Sequence, residues 1–143
     1  MASTASTNAV PKWDDNKIRM NRKFKYRVLK ATHNCAAQNI GANNSVVVAQ
    51  IPAETFILGA NLTVDTVEDS AASVALGLAE DGATLVALSN AQAATSYPGN
   101  EHSIYVASAT NVHMTPNGAC DTGVFTARIA MITLSKDRIE QVR

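Results

Sequence analysis

The sequence predicts an all-β protein, a β-sandwich of jelly-roll type with at most one short helix. Val, Ile and Thr supply 34 of the 143 residues, and these β-branched side chains favour strands. Twelve Asn and 7 Gly supply turn residues. Short apolar segments with turn signals about every 8 to 12 residues are typical of sandwiches and jelly rolls. A chain of this length is expected to form one domain without disulfide staples.

The strands are expected in a regular series. From Lys23, basic residues alternate with Phe24, Tyr26 and Val28, a period of two that predicts a strand with one basic and one apolar face. The basic face also discourages uncontrolled edge pairing. Further strands are expected, each bounded by turn residues, over Ser45 to Ile51, Thr55 to Val67 with an interruption at Gly59, Ala72 to Leu78, Ser103 to Ala107, Asn111 to Thr115, and Gly123 to Ser135.

Two of these segments need a separate interpretation. Residues 83–94 are rich in Ala, and Leu85 and Leu88 lie three apart, which predicts a short helix. The last strand is apolar on both faces, with Phe125 on one and Ile132 on the other. We therefore expect both faces to be covered, one by the second sheet and the other by a further surface such as another subunit.

The charges cancel to zero overall but are segregated along the chain. Residues 1–30 carry +6, residues 31–127 hold eight acidic residues and no Lys or Arg, and residues 128–143 carry +2. Because surfaces normally mix both signs, the anionic body is expected to meet another surface. We divide the chain into an extended basic N-terminal arm, residues 1–30, and a β-sandwich domain, residues 31–143. The arm would meet its own or a neighbouring acidic body, an acidic partner or nucleic acid, or remain a solvated tail.

The arm contains the residues that we expect to contact a partner. Trp13 is the only tryptophan and lies in a charged stretch, which favours an anchor that docks outside its own segment. Covering the edge of its own domain is the alternative. The expected contacts are Trp13, Arg19, Arg22, Lys23, Lys25 and Arg27.

Catalytic motifs are weak, and we expect no enzyme activity and no cofactor. Asp121-Thr122-Gly123 matches the triplet of aspartic proteases, in which two such loops face each other. The residues after it lack the apolar-Gly turn that should accompany the triplet. An ordinary tight turn leading into the last strand is therefore predicted.

Metal ligands are also unconvincing, and no metal is expected. His33, Cys35, His113 and Cys120 are suitable ligand types for zinc, but their spacing matches no known finger. Buried thiols and polar histidines at the rim are favoured. Two cysteines are too few for a disulfide scaffold and indicate a chain made in a reducing cytoplasm, with their disulfide state left open.

The acidic residues of the body offer carboxylate oxygens of the kind that calcium binds. They lack a regular calcium-loop spacing and favour a solvated hairpin end, with calcium left open; they are Asp65, Glu68, Asp69, Glu80 and Asp81. No run approaches the roughly 18 apolar residues of a membrane span, and the first residues lack the pattern of a secretory signal. A soluble protein is expected.

The block from Ile51 to Ala94, IPAETFILGANLTVDTVEDSAASVALGLAEDGATLVALSNAQAA, resembles small virion proteins of tailed bacteriophages. Those chains tend to show a Pro-Ala-x-Thr-Phe-x-Leu-Gly start, a Val-x-Thr hairpin, an apolar strand ending in Gly, and then Asp-Gly with an alanine-rich segment. The stretch from Gly123 to Thr126 before an apolar strand is similar to theirs as well. The resemblance covers about two thirds of the chain, whereas the basic arm matches no family pattern.

The resemblance implies a β-sandwich that decorates or cements a capsid, or is otherwise built into the head or tail. We therefore expect a capsid decoration (cement) protein that binds the major capsid protein lattice and other copies of itself, as a trimer or dimer. It would be made in the host cytoplasm and lie on the capsid surface of the virion, with no membrane partner. The alternatives are a nucleic-acid-binding virion protein that uses the basic arm, and a tail or fibre structural module.

Overall fold

The computed structural model describes residues 3–9, 12–15, 24–42, 44–70, 72–79, 82–100 and 104–134. These ranges contain eleven β-strands and no helix. None of them forms a helix with the length and apolarity that a bilayer crossing needs. The strands are β1 (Ser3–Ala5), β2 (Lys12–Asp15), β3 (Phe24–Asn34), β4 (Ser45–Ile51), β5 (Thr55–Thr66), β6 (Ser73–Gly77), β7 (Val86–Asn90), β8 (Ser96–Pro98), β9 (Ile104–Val106), β10 (Thr110–Asn117) and β11 (Val124–Leu134).

The strands form two sheets whose order is that of a jelly roll. One sheet has five strands in the order β1-β4-β10-β6-β7. The other has the order β2-β3-β11-β5-β8, with β9 also paired to β5. Successive strands from β3 to β6 alternate between the sheets, and the inner orders β3-β11-β5-β8 and β4-β10-β6-β7 are the two halves of an eight-stranded jelly roll. The predicted jelly-roll β-sandwich is confirmed.

The core lies between the sheets and is built from alternate residues of their central strands. Every second residue of β11 from Phe125 to Met131 is buried, because this strand is the centre of the six-stranded sheet. Residues of the facing sheet close the core from the other side. The fully buried large apolar side chains are Leu29, Ile51, Ile57, Leu62, Leu76, Leu85, Met114, Phe125, Ile129 and Met131.

The first strands place the described part of the N-terminal region at the edges of both sheets. β1 pairs in parallel with β4, and β2 pairs antiparallel with β3. One short segment thus supplies an edge strand to each sheet. β3 runs from Phe24 to Asn34 and continues across the expected boundary at residue 30. The division into an arm and a domain stays a prediction.

The prediction of a short helix over residues 83–94 was wrong. Val86–Asn90 forms β7, which pairs antiparallel with β6. Leu85 is fully buried and its N–H donates to the carbonyl of Leu76 at 3.0 Å, whereas Leu88 is 55% exposed. Pairing with β6 satisfies this backbone and buries one side of the segment, which outweighs the helix propensity of its alanines.

Candidate interaction surface

A row of large side chains crosses the outer face of the six-stranded sheet. Tyr26 of β3 lies opposite Ile132 of β11. Phe56 of β5 lies opposite Ile132 on one side and Tyr105 of β9 on the other. The residue after Phe56, Ile57, is fully buried in the core, and side chains alternate along a strand, so this row faces outward.

Two aromatic members of the row, Phe56 and Tyr105, are exposed, and Tyr26 is partly buried. Phe56 is 44% and Tyr105 is 51% exposed. Their ring centroids are 4.8 Å apart, with the planes inclined at 45°, a favourable geometry for an aromatic pair. A contiguous exposed apolar patch on a rigid sheet is typical of a surface that binds another protein.

A β-bulge adds a further exposed side chain at this end of the sheet. Ala130 of β11 lies opposite Gly59, but the next residue, Met131, lies opposite Ile57, which leaves Leu58 as the extra residue of β5. Leu58 is 46% exposed. The position of a Cβ on Gly59 would be open space. The predicted interruption of this strand at Gly59 is therefore a bulge that presents Leu58. We call the set Tyr26, Phe56, Leu58, Tyr105 and Ile132 the aromatic face.

The opposite end of the same outer face is polar, and its side chains form hydrogen bonds with one another. The hydroxyls of Thr32 and Thr126 share a hydrogen bond of 2.9 Å, and Thr126 donates to the carboxylate of Asp65. Arg128 Nη1 donates to Thr63 Oγ1 at 3.1 Å. These side chains hydrogen-bond to one another within the sheet. Covering the aromatic face with another surface is therefore the favourable step, because it removes apolar side chains from water.

Three of the expected arm contacts lie in strands, Trp13 in β2 and Lys25 and Arg27 in β3. Arg19, Arg22 and Lys23 lie outside the described residues. The backbone of Trp13 lies in β2 opposite Leu29, and that of Lys25 lies in β3 opposite Thr133, and only these backbone positions are described. A partner-binding role for these five residues stays a prediction.

Arg27 shows how the alternating pattern of β3 is oriented. It lies opposite the fully buried Met131 and two residues before the buried Leu29. Arg27 therefore belongs to the core-facing set of its strand, whereas Tyr26 and Val28 belong to the outer set. The apolar side of this alternation contributes to the outer surface, which the sequence pattern alone does not indicate. A partner contact of Arg27 stays a prediction.

Glu68, which the sequence pattern placed at a solvated hairpin end, is only 1% exposed. The backbone N–H groups of Asp121, Thr122 and Gly123 donate to its Oε2 at 3.1, 3.1 and 2.8 Å. Burial alone would raise the pKa of this carboxyl group, but these donors outweigh it and lower the pKa to about 2. The Asp-Thr-Gly triplet forms a bend that leads into β11, as predicted, and Glu68 holds it in place.

Acidic and sulfur ligands come together around the same carboxylate. Ligand atoms of Cys35, Glu68 and Cys120 lie within 4.8 Å of one another, and so do those of Glu68, Asp69 and Asp121. Both groups depend on Glu68, whose oxygens already accept the N–H groups of the bend. A metal would have to displace those bonds. A hydrogen bond between the side chains of Asp121 and Glu68, together with the negative charge of Asp69, raises the pKa of the exposed Asp121.

The histidines, expected at the rim, are instead buried. His33 is fully buried, with Nε2 at 3.0 Å from the carbonyl oxygen of Gln38 and Nδ1 at 2.6 Å from Ser6 Oγ. This pattern assigns the proton to Nε2, so that Nδ1 accepts from the Ser6 hydroxyl. Burial lowers the pKa of His33, although the Gln38 carbonyl opposes it. His113 is 8% exposed, with Nδ1 at 3.2 Å from Ser3 Oγ.

No family model and no curated protein matches the sequence. Several solved structures are similar in fold, and three of them are phage capsids. A chain of the cyanophage Pam1 capsid asymmetric unit has a TM-score of 0.63 at 14% identity, covering 82% of this chain and 91% of that one. A chain of the Ralstonia phage GP4 capsid has 0.58 at 12%, covering 85% and 90%. A chain of the acid-stable capsid of Helicobacter pylori bacteriophage KHP30 has 0.57 at 14%, covering 88% and 95%.

Proposed function

We propose that this chain is a structural protein of a bacteriophage virion and is built into the capsid. The observation that carries the proposal is the similarity to chains of three phage capsids over 82 to 88% of this chain. The same alignments cover 90 to 95% of the matched chains, so those chains are of comparable length. Near-complete coverage on both sides supports a role for the whole sandwich. The resemblance of the Ile51 to Ala94 block to phage virion proteins agrees with it.

Within that class, the role that we propose is capsid decoration. The protein would bind the major capsid protein lattice, tie neighbouring capsomers together and stabilise the head. The aromatic face supports this role, because exposed Phe and Tyr side chains on a rigid sheet are suitable anchors for another protein. A sheet that is pre-ordered before binding loses little conformational entropy when it docks.

The basic arm would supply a second contact. Trp13 and the cations of residues 1–30 would lie on the capsid or on an adjacent copy, with long-range attraction from the net charge of +6. Two linked contacts raise each other's effective concentration, so that weak contacts repeated over a lattice become stable. Self-association as a trimer or dimer and a position on the capsid surface belong to the same proposal.

The proposal is tested by co-sedimentation of the full-length chain with particles assembled from the major capsid protein of the same phage. The variant Phe56→Ser is expected to weaken binding by about 30-fold, the effect of an aromatic hot spot worth about 2 kcal/mol. Leu88→Ser is the matched control, because Leu88 is also exposed but lies on the other sheet. It is expected to bind as the parent does.

Each alternative has its own outcome in this experiment. A parent chain that never co-sediments with the particles overturns the capsid role. Equal binding of the two serine variants overturns the assignment of the aromatic face while keeping the capsid role. A separate gel-shift assay tests the nucleic-acid alternative. Binding to DNA that weakens steeply as the salt concentration rises would favour that alternative, since the arm would then be neutralising phosphates.

A further inference from the structure

The two cysteines lie far apart in the sequence but meet in the core. Cys35 directly follows β3, and its N–H donates to the carbonyl of Gly123 at 2.9 Å. Cys120 exchanges two backbone hydrogen bonds with Ile40, both of 2.9 Å. These bonds fix the backbone on both sides of the pair. Both cysteines are fully buried, and their Sγ atoms and a carboxylate oxygen of Glu68 lie within 4.8 Å of one another.

A metal site is the less favourable use of this cluster. Among the described residues, Glu68 is the one acidic ligand grouped with the two thiols, and its oxygens already accept the backbone N–H groups of residues 121–123. Zinc in proteins is held by four ligands in structural sites. The chemistry that remains for two thiols at this separation is a bond between them.

We propose that Cys35 and Cys120 are a disulfide-forming site that becomes oxidised when the protein passes from a reducing to an oxidising environment. The oxidant is a small disulfide such as oxidised glutathione. One cysteine thiolate attacks it, which forms a mixed disulfide and releases one glutathione. The second cysteine attacks the protein sulfur of that mixed disulfide, which forms the Cys35–Cys120 bond and releases the second glutathione. Two electrons and two protons leave the cysteines and appear on two glutathione thiols.

The bond would tie the chain after β3 to the bend before β11, beside the Glu68 carboxylate. β3 and β11 are already paired over their whole length, so the covalent link reinforces the end of the central strand pair. This inference goes beyond the proposed function and does not depend on it. It concerns a chain that folds with both thiols reduced and gains a covalent lock later.

The surroundings of the thiols make the reaction slow in the folded protein. The contact with Cys120, burial and the negative charge of Glu68 all raise the pKa of the Cys35 thiol, and the thiolate is the attacking species. Oxidation therefore requires transient opening of the cluster. The same burial then protects the finished bond from thiols in solution, so the lock persists once it has formed.

The test compares the disulfide equilibrium of the full-length chain in two states. The chain is incubated to equilibrium in glutathione redox buffers with a catalytic disulfide isomerase, which supplies access to the buried thiols. A second series in concentrated guanidinium chloride, equilibrated without the enzyme, gives the unfolded reference. After an acid quench, unfolding and alkylation with N-ethylmaleimide, intact mass reports how many thiols are free. The folded chain is expected to favour the disulfide about tenfold or more over the unfolded chain.

A ratio of one or less would overturn the proposal, because the native geometry would then oppose the bond. The variants Cys35→Ser and Cys120→Ser are controls, expected to give only mixed disulfides with glutathione. Native mass spectrometry of the reduced parent with added Zn²⁺ separates the metal alternative. If the parent retains one zinc ion tightly and both serine variants lose it, the cluster is a metal site and not a disulfide site.

Discussion

Replacing Glu68 by Gln tests the idea that a buried carboxylate organises the end of the last strand. The pKa of Glu68 falls from 4.5 to about 2 in the folded protein. Each pKa unit corresponds to about 1.36 kcal/mol, so the ionised carboxylate contributes about 3 kcal/mol at neutral pH relative to its protonated form. The amide of Gln keeps the shape but turns an NH2 group or a weaker oxygen toward the N–H donors of residues 121–123. We expect Glu68→Gln to lower the free energy of unfolding by about 3 kcal/mol.

The pH dependence gives this prediction its sharpest form. Because the folded-state pKa is depressed, the stabilisation is present above about pH 4.5 and is lost as the pH falls toward 2. At pH 3 linkage leaves about 1 kcal/mol of this stabilisation. The difference in unfolding free energy between the parent and Glu68→Gln, measured by urea denaturation, should therefore shrink by about 2 kcal/mol between pH 7 and pH 3.

The same carboxylate-to-amide change at Glu54, in the connection between β4 and β5, serves as the control. It is expected to alter stability by about 0.5 kcal/mol or less, as most surface substitutions do. A difference for Glu68→Gln that is below about 1 kcal/mol at pH 7, or that is the same at pH 3 as at pH 7, would show that the carboxylate does not stabilise the bend.

Two further predictions concern stability. Burial lowers the pKa of His33, so the folded state binds its proton less readily, and stability is expected to fall as the pH drops below about 6.5. Urea titrations at pH 7 and 5 should show a larger loss for the parent than for His33→Gln, and equal losses would contradict the buried neutral ring. A Cβ on Gly99 would lie 2.3 Å from the carbonyl oxygen of Ala60, whereas one on Gly59 would meet nothing within 4 Å. Gly99→Ala is therefore expected to lower the melting temperature by several degrees and Gly59→Ala to leave it nearly unchanged, and similar effects of the two would argue against the close approach.

Periodicity and turn residues were sufficient to predict the fold class and most of the long strands. Ser45–Ile51 matches the predicted strand residue for residue, because alternating apolar positions and Pro52 define both its character and its end. The prediction for residues 83–94 was wrong, because a short Ala-rich segment carries little periodic signal and its pairing with β6 is a tertiary effect. The jelly-roll order follows from such long-range pairings.

The surface features were harder to predict. The sequence indicated apolar residues on both faces of β11, and Ile132 is one on the outer face. It did not identify the row that continues through Phe56 to Tyr105, because that row depends on the register of four strands. Glu68 resembled an ordinary surface carboxylate, since its N–H donors lie more than fifty residues away. The residues next to Glu68 in the sequence do not indicate that it is buried, because the Asp-Thr-Gly bend that binds it is distant in the sequence.

The most direct measurement of the capsid role is a cryo-electron microscopy reconstruction of particles assembled with the full-length chain. Density for the jelly-roll sandwich is expected at regular positions on the lattice, with the side chains of Phe56 and Tyr105 covered by the major capsid protein. A reconstruction in which the sandwich is present but those two rings face solvent would contradict the assigned surface, and bare particles at saturating chain would contradict the role itself.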